Sequence, residues 1–241
     1  MGAQDRARLD AWPGRDRREP SRRHHAYLML KPNRDALVST RGRYVHEGAR
    51  ILDVGAGVMP YYPLFADLAS EYVGNDVESR PGLTSVSPIE ALDLPDASFD
   101  VVLCTQVLEH VRHPQRALGE IARVLKPGGH LLLTTHGVYP HHPDPGDYWR
   151  WTQQGFEAMF EDADGLELVE LQPLVGSAAT LAMLVAGALR DLTRLPLLGL
   201  VFSPLMVAVN AAGEAVDRRT PKRVRERLVG NFLAVGQRTA A

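Results

Sequence analysis

An apolar run, Ile51-Leu52-Asp53-Val54, carries an acid and leads directly into Gly55-Ala56-Gly57. Glycines in such a turn place no Cβ between the backbone and a ligand, and the carboxyl end of a first strand is where open α/β sheets bind nucleotides. The dinucleotide fingerprint has a third glycine three positions after the second, but Pro60 stands there, which disfavours a pyrophosphate seated on a helix N-terminus. The acid before the glycines points instead to a cationic ligand. A second run, Tyr72-Val73-Gly74-Asn75, ends in Asp76, the position from which an acid accepts both ribose hydroxyls in nucleotide-binding α/β folds.

Elements of two kinds must position these groups. Ile51–Val54, Tyr72–Asn75, Val101–Cys104, Leu131–Thr135, Leu166–Leu171 and Phe232–Gly236 read as short strands, with stretches of helical length between most of them. Gln115–Leu125 places Ala117, Leu118, Ile121, Ala122 and Leu125 on one stripe and stops at Lys126-Pro127-Gly128-Gly129. Ahead of the first strand, Asn33 as cap, Asp35 in a first turn and Leu37, Val38, Tyr44 and Val45 on a buried face predict a lead-in helix. Strand alternating with helix predicts a mostly parallel sheet covered on both faces. Thr152 is placed to cap a helix whose Phe156 and Phe160 enter the core.

Composition excludes whole-chain disorder and fibrous repeats: 241 residues are 45% hydrophobic and 23% charged. A net charge of −2 leaves no overall electrostatic footprint for a nucleic-acid backbone. The charge is uneven, however. Residues 1–25 hold seven arginines against four acids and read as a solvated or disordered basic tail, and residues 217–227 hold six basic groups against two acids. The single cysteine, Cys104, has no partner for a disulfide or a paired-thiolate site and reads as a small buried strand residue. With no secretory signal visible in the first thirty residues, a cytoplasmic location is expected.

In order, Asp53-Val54-Gly55-Ala56-Gly57, Asp76, Ser98-Phe99-Asp100-Val101-Val102, Val107-Leu108-Glu109-His110 and Arg123-Val124-Leu125-Lys126-Pro127-Gly128-Gly129 resemble the successive motifs of class I S-adenosylmethionine-dependent methyltransferases of the type 11 group. The resemblance covers about residues 48–172 and the final strand. It implies a seven-stranded Rossmann-like α/β sheet with helices on both faces, an apolar helical insertion before the last strand, and S-adenosyl-L-methionine as cofactor. Asp53, Gly55, Ala56 and Gly57 would meet its methionine moiety, Asp76 its ribose, Ile89, Glu90 and Ala91 its adenine, and Thr105 and Gln106 would face it from a strand mouth. Pro88 stands where the family often has Asp, leaving Glu90 or a backbone carbonyl to meet the adenine. Met59 replaces the third glycine of the first motif, which would narrow the methionine end.

The acceptor side is signalled by residues 136–152, which hold three histidines and the stretch Asp147-Tyr148-Trp149-Arg150-Trp151-Thr152, similar to a subgroup of type 11 enzymes. Methyl transfer is an in-line displacement at a positive sulfonium, so the protein must position the acceptor, accept its proton and exclude water. His136 and His141 are the candidates for taking the proton, and Tyr148 and Arg150 for holding the acceptor. The same histidines with Asp144 and Asp147 could bind a divalent ion, but the prolines stiffen the loop and no ligand spacing emerges, so no metal is expected.

These readings divide the chain into a basic tail (1–25), a methyltransferase core (26–173), an apolar helical insertion (174–228) and a terminal antiparallel strand with its tail (229–241). The expected activity is O-methylation of a small-molecule, sugar or lipid-linked acceptor, with no nucleic-acid partner. N- or C-methylation of a hydrophobic, quinone-like acceptor, a non-catalytic cofactor-binding module, and a nicotinamide dehydrogenase are the alternatives. For the insertion two readings stand: a helical lid or homodimer partner, and a hairpin at a membrane surface, peripheral to the inner membrane, favoured by the basic residues Arg218, Arg219, Lys222, Arg223, Arg225 and Arg227 that follow it.

Overall fold

The computed structural model describes residues 3–193 and 196–240 apart from 144, and the side chains from residue 7 onward outside 144 and 191–201. Its elements are α1 (Ala3–Asp10), α2 (Arg15–Arg18), α3 (Tyr27–Tyr44), β1 (Ala49–Val54), α4 (Tyr62–Phe65), β2 (Ala69–Asp76), β3 (Ser85–Val86), β4 (Phe99–Thr105), α5 (Pro114–Val124), β5 (Leu125–His136), α6 (Gln153–Glu161), β6 (Leu166–Val175), α7 (Ser177–Thr193), α8 (Pro196–Arg219), α9 (Lys222–Arg225) and β7 (Asn231–Arg238). The strands form one seven-stranded sheet in the order β3-β2-β1-β4-β5-β7-β6. All pairs are parallel except those of β7, which lies antiparallel between β5 and β6.

The sequence explains why the strands sort this way. Strands β1, β4 and β5 are apolar runs buried on both faces, as parallel strands under helices must be. Alternate residues divide between two layers. Leu52, Val54, Val102, Cys104, Leu131 and Leu133 pack with Leu118 and Ile121 of α5 and Phe156 and Phe160 of α6. On the opposite face Ile51, Val101, Leu103 and Leu132 meet Leu37, Tyr61 and Phe65. Thr152 caps α6 by accepting from Gly155 N at 3.0 Å, as its position predicted. Strand order reverses between β1 and β4, opening the crevice where such sheets bind ligands.

Asp53 is the exception inside β1. It is 1% exposed, and Tyr72 Oη donates to its Oδ2 at 2.8 Å. Burial pushes its carboxyl up to about 7, with Asp76 adding a smaller push.

Three expectations need correction. Within residues 7–25, Trp12 and Arg18 are fastened to the core rather than free in a solvated tail. Trp12 Nε1 donates to Met59 O at 3.0 Å, and the Arg18 guanidinium donates to the carbonyls of Trp12, Pro13 and Pro60 at 2.7 Å each. Arg18 is buried because it satisfies three carbonyls that water does not reach, and Gly14 (φ 71°) lies so close to Pro60 that a Cβ there would stand 2.5 Å from the proline Cβ. Second, Asn33 does not cap the lead-in helix, which starts six residues earlier; it is buried mid-helix and accepts from Asn231 Nδ2 at 2.5 Å, while Val38 is exposed. Third, the sequence offers 195–213 as an apolar run interrupted by Pro204 and Asn210, but α8 continues through both. Asn210 is buried and donates to the carbonyls of Arg22 and His24 at 2.8 and 3.1 Å. The first residue of that run, Leu195, lies outside the described residues.

Helices α7 and α8 pack on each other and on α3, where Ala179 and Met183 join Tyr27, Leu28 and Leu30. Among the described residues no helix is long and apolar enough to cross a membrane.

Two outcomes follow. In Arg18→Ala three carbonyls lose a charged donor, each such bond contributing about 1.5–3 kcal/mol; limited proteolysis should cut within residues 1–25 at least about tenfold faster, and unchanged cleavage would show that Arg18 does not hold the segment. Asp53 ionises near 4 when unfolded and near 7 when folded, so its burial is free of cost below pH 4 and costs stability increasingly as pH rises to 7. Denaturation of Asp53→Asn against wild type should therefore show the variant gaining on the order of 3 kcal/mol in relative stability between those pH values; parallel curves would contradict the buried carboxyl.

Candidate active site

A cavity of about 640 Å³ opens at the carboxyl ends of the parallel strands. It gathers Gly55, Ala56 and Gly57 from the turn after β1, Asp76 from β2, Ile89 and Glu90, Thr105 and Gln106 from β4, and His136 from β5. Asp53 and Ala91, also expected at the cofactor, are not among its lining residues. Asp53 sits beneath the turn with Tyr72, so its effect on a ligand there is that of a buried acid rather than a contact.

The turn after β1 is fixed from two sides. Gly57 N donates to Asp76 Oδ2 at 2.8 Å, and Ala56 N donates to Asn75 O at 2.9 Å. Asp76 Oδ1 accepts from Val77 N at 2.7 Å and from Glu78 N at 3.5 Å, so Oδ2, with Gly57 N as its one donor, is the oxygen that retains a lone pair. Gly55 (φ 62°) lies against the loop after β4, where a Cβ would meet Val107 Cγ2 at 2.4 Å. Met59 does not narrow the cavity: its side chain is buried over Gly74 and Gly82, away from the lining residues.

Glu90 Oε1 accepts from His113 N at 2.9 Å, tying the adenine-side loop to the start of α5. Gln106 has a left-handed backbone (φ 57°), and its Nε2 donates to Thr134 Oγ1 at 3.1 Å and to Asn231 Oδ1 at 3.2 Å. Asn231 in turn donates to Asn33, so a chain of amides runs from the cavity to α3.

Opposite the glycine turn, His136 Nε2 stands 3.2 Å from Glu109 Oε1, and both side chains are buried. Thr135 Oγ1 donates to Glu109 Oε2 at 2.8 Å. The imidazole stacks on Tyr139 with centroids 3.9 Å apart and planes 3° apart. Burial pushes the Glu109 carboxyl up and pulls the His136 imidazole down to about 3, with Arg150 adding to the latter. An imidazole so placed is neutral at physiological pH and carries an open lone pair. Burial likewise raises the Cys104 thiol, which keeps it protonated and inert as a strand residue.

The rest of the acceptor loop differs from expectation. His141 is 76% exposed and pairs with Asp147 at 3.0 Å, outside the cavity lining, whereas His110 and His142 line it. Arg150 also lies outside the lining: it donates to the carbonyls of Tyr139, Pro140 and Trp149 at 3.0, 2.8 and 2.8 Å and pairs with Asp147, whose carboxyl it holds well below the usual range. The Tyr148 ring is exposed, and its backbone N donates to Glu109 O at 2.9 Å. Trp149 Nε1 donates to Val111 O at 2.8 Å, and Trp151 N to His136 O at 3.0 Å. The aspartate-to-threonine stretch is thus a buckle that presses the loop onto the Leu108–His110 turn; a guanidinium with five donors saturates loop carbonyls here and has little left for an acceptor. Among the described residues no group of three or more His, Cys, Asp or Glu side chains is placed to hold a metal ion; Asp144 lies outside them.

One wall was not signalled by any motif. Asp16, Arg17, His24, His25, Met29 and Leu30 line the cavity from the N-terminal segment, and Arg190 from α7. The only trace in the sequence is the unusual density of arginine before residue 25.

Comparison with known proteins places this geometry. Residues 52–133 match the type 11 methyltransferase family, described as a methyltransferase domain. The chain is 33% identical over 104 residues to a ubiquinone biosynthesis O-methyltransferase of Alkalilimnicola ehrlichii, covering 37% of this chain and 42% of that protein. It is 30% identical over 135 residues to an uncharacterized methyltransferase of Mycobacterium bovis, covering 49% and 52%. The chain thus spans about half or less of the curated relatives it matches. In fold it is similar to the Burkholderia thailandensis 1,6-didemethyltoxoflavin-N1-methyltransferase solved with S-adenosylhomocysteine, with a TM-score of 0.57 and 14% identity over 100% of this chain and 92% of that one. The glycine turn, Asp76 and the strands behind them therefore lie in a segment, residues 52–133, that matches a type 11 methyltransferase domain.

Proposed function

We propose that the chain is an S-adenosyl-L-methionine-dependent methyltransferase acting on a hydroxyl of a small-molecule or lipid-linked acceptor. The observation that carries this reading is the placement, in one cavity of a type 11 domain, of a free-edged carboxylate beside a glycine turn at one side and a neutral buried imidazole at the other. The residues suit the cofactor. Asp76 Oδ2 has acceptor capacity left for a ribose hydroxyl, the turn exposes backbone without Cβ atoms, and the buried acid Asp53 beneath it favours positive charge above. When bound, the cofactor supplies an electrophilic methyl group on a positively charged sulfur.

His136 takes the acceptor proton. Its resting value near 3 would make it a weak base alone, so the work depends on Glu109 in its ionised form: the proton taken from the acceptor then converts a carboxylate and a neutral imidazole 3.2 Å apart into a carboxylate–imidazolium pair of no net charge. Tyr139 keeps the ring in plane, and the Trp149 and Trp151 bonds hold the loop closed against water. A dedicated proton acceptor supports oxygen as the methylated atom, in keeping with the name of the Alkalilimnicola relative.

Two measurements test the reading. In Asp76→Ala the ribose acceptor is lost, and charge-assisted bonds worth about 1.5–3 kcal/mol predict a ten- to hundredfold fall in S-adenosylhomocysteine affinity by calorimetry; unchanged affinity removes Asp76 from the site. His136→Ala and Glu109→Gln should keep that affinity while transfer of labelled methyl groups into a cell extract falls by about 10² to 10⁴. Full transfer by both variants would assign the reaction to proximity alone.

A further inference from the structure

The α7–α8 hairpin has two faces of unlike kind. Toward α3 it buries Ala179, Met183, Met206 and Asn210, and small residues set the spacing, since a Cβ on Gly213 would stand 2.6 Å from that of Ala182. On the opposite side of each helix the exposed residues are also apolar: Leu181 and Val185, one turn apart on α7, are 56% and 50% exposed, and Leu205 and Val216 on α8 are 43% and 51% exposed. Ala208 and Ala212 continue the α8 face between them. Five of the twelve large apolar side chains exposed among the described residues fall on this hairpin and α9, so the pattern is a patch rather than scatter. A helix that buries one apolar face and exposes another has an unmet partner.

The charge beside the patch selects the partner. The segment 217–227 holds six basic groups, and of its two acids Asp217 is buried, accepting from Ala178 N at 2.9 Å. Arg218, Arg219, Lys222 and Arg223 are exposed at the end of α8 and on α9. Apolar area bordered by exposed basic side chains is the pattern by which interfacial segments hold an anionic bilayer. A second copy of the chain would instead meet this patch with the same patch, adding its own basic groups to the shared rim. We infer that the outer face of the α7–α8 hairpin, with Arg219, Lys222 and Arg223, docks the protein on membranes rich in anionic lipid.

Docking would also place the cavity. Arg190 of α7 lines it, as do Met29 and Leu30 of α3, against which α7 packs. The helix that carries part of the bound face therefore also reaches the cavity, through Arg190, and an acceptor with an apolar tail would enter from the bilayer side; that clause rests on the methyltransferase reading, whereas docking itself does not.

The test uses the full chain with vesicles of phosphatidylglycerol and phosphatidylcholine against vesicles of phosphatidylcholine alone. The protein should float with the first and only weakly with the second, and high salt should release it. Leu181→Glu with Val185→Glu should lower partition at least about tenfold through lost apolar burial, and Arg219→Glu with Lys222→Glu and Arg223→Glu by about a hundredfold or more, each with unchanged S-adenosylhomocysteine affinity. Absence of binding to the anionic vesicles, or equal binding by both variants, overturns the inference. A dimer in light scattering that Leu181→Glu dissolves, with no vesicle binding, gives the face to a second copy and overturns it too. Vesicle binding by a protein that fails to bind S-adenosylhomocysteine would leave the docking surface standing and remove the methyltransferase reading on which the acceptor clause rests.

Discussion

The bond from Gly57 N to Asp76 Oδ2 is the constraint from which the rest of the site follows. It joins the turn after β1 to the tip of β2, so the two elements that the sheet only brings alongside each other become one rigid rim. The carboxylate that makes this bond is thereby oriented with a lone pair of Oδ2 still open, and the turn cannot relax away from its positive-φ glycines. From the far side the same turn is held by Trp12 on the Met59 carbonyl and Arg18 on the Pro60 carbonyl. A loop that must approach a ligand without side chains is thus stiffened by hydrogen bonds from neighbours that sequence separates by up to 47 residues.

Burial shapes the site's electrostatics more than ion pairing does. Asp53, Glu109 and His136 are each driven toward the neutral form by burial, so the domain folds around groups that resist charge until a partner provides it. Such an arrangement suits a reaction that brings in a positive sulfonium and produces a proton: each new charge meets a group whose ionisation it stabilises. A carboxylate such as Asp147, held ionised by Arg150, is already committed and serves only to shape the loop.

The cofactor half of the site was legible because its chemistry is local. Gly55 through Gly57, Asp76, and Thr105 with Gln106 each sit at the end of an apolar run and line one cavity, and a strand end is a position that period and composition reveal. The fold was legible for the same reason, apart from β3, whose two residues are too few to carry a pattern. What could not be read was pairing at long range. Histidine and arginine at 141 and 150 had the right types for acceptor chemistry, but their partners, Asp147 and the carbonyls of residues 139 and 140, turned them into loop fasteners. Glu109 opens a turn after a strand, where a cap and a pocket residue look alike in sequence; the register that lays β5 beside β4 brings His136 within 3.2 Å of it.

The same long-range polar chemistry explains why the hairpin is part of the domain rather than an appendage. Asn210 on α8 bonds the carbonyls of Arg22 and His24, Asn33 on α3 bonds Asn231 on β7, and Asn231 bonds Gln106 at the cavity. These buried amides are costly unless each finds its partner, so they admit one arrangement of hairpin, lead-in helix and sheet and penalise the rest. An element that touches a surface through α7 and α8 is therefore connected by rigid contacts to the segment that walls the cavity. The hydrophobic effect alone would have allowed the two helices to slide on α3; the asparagines fix where they stop.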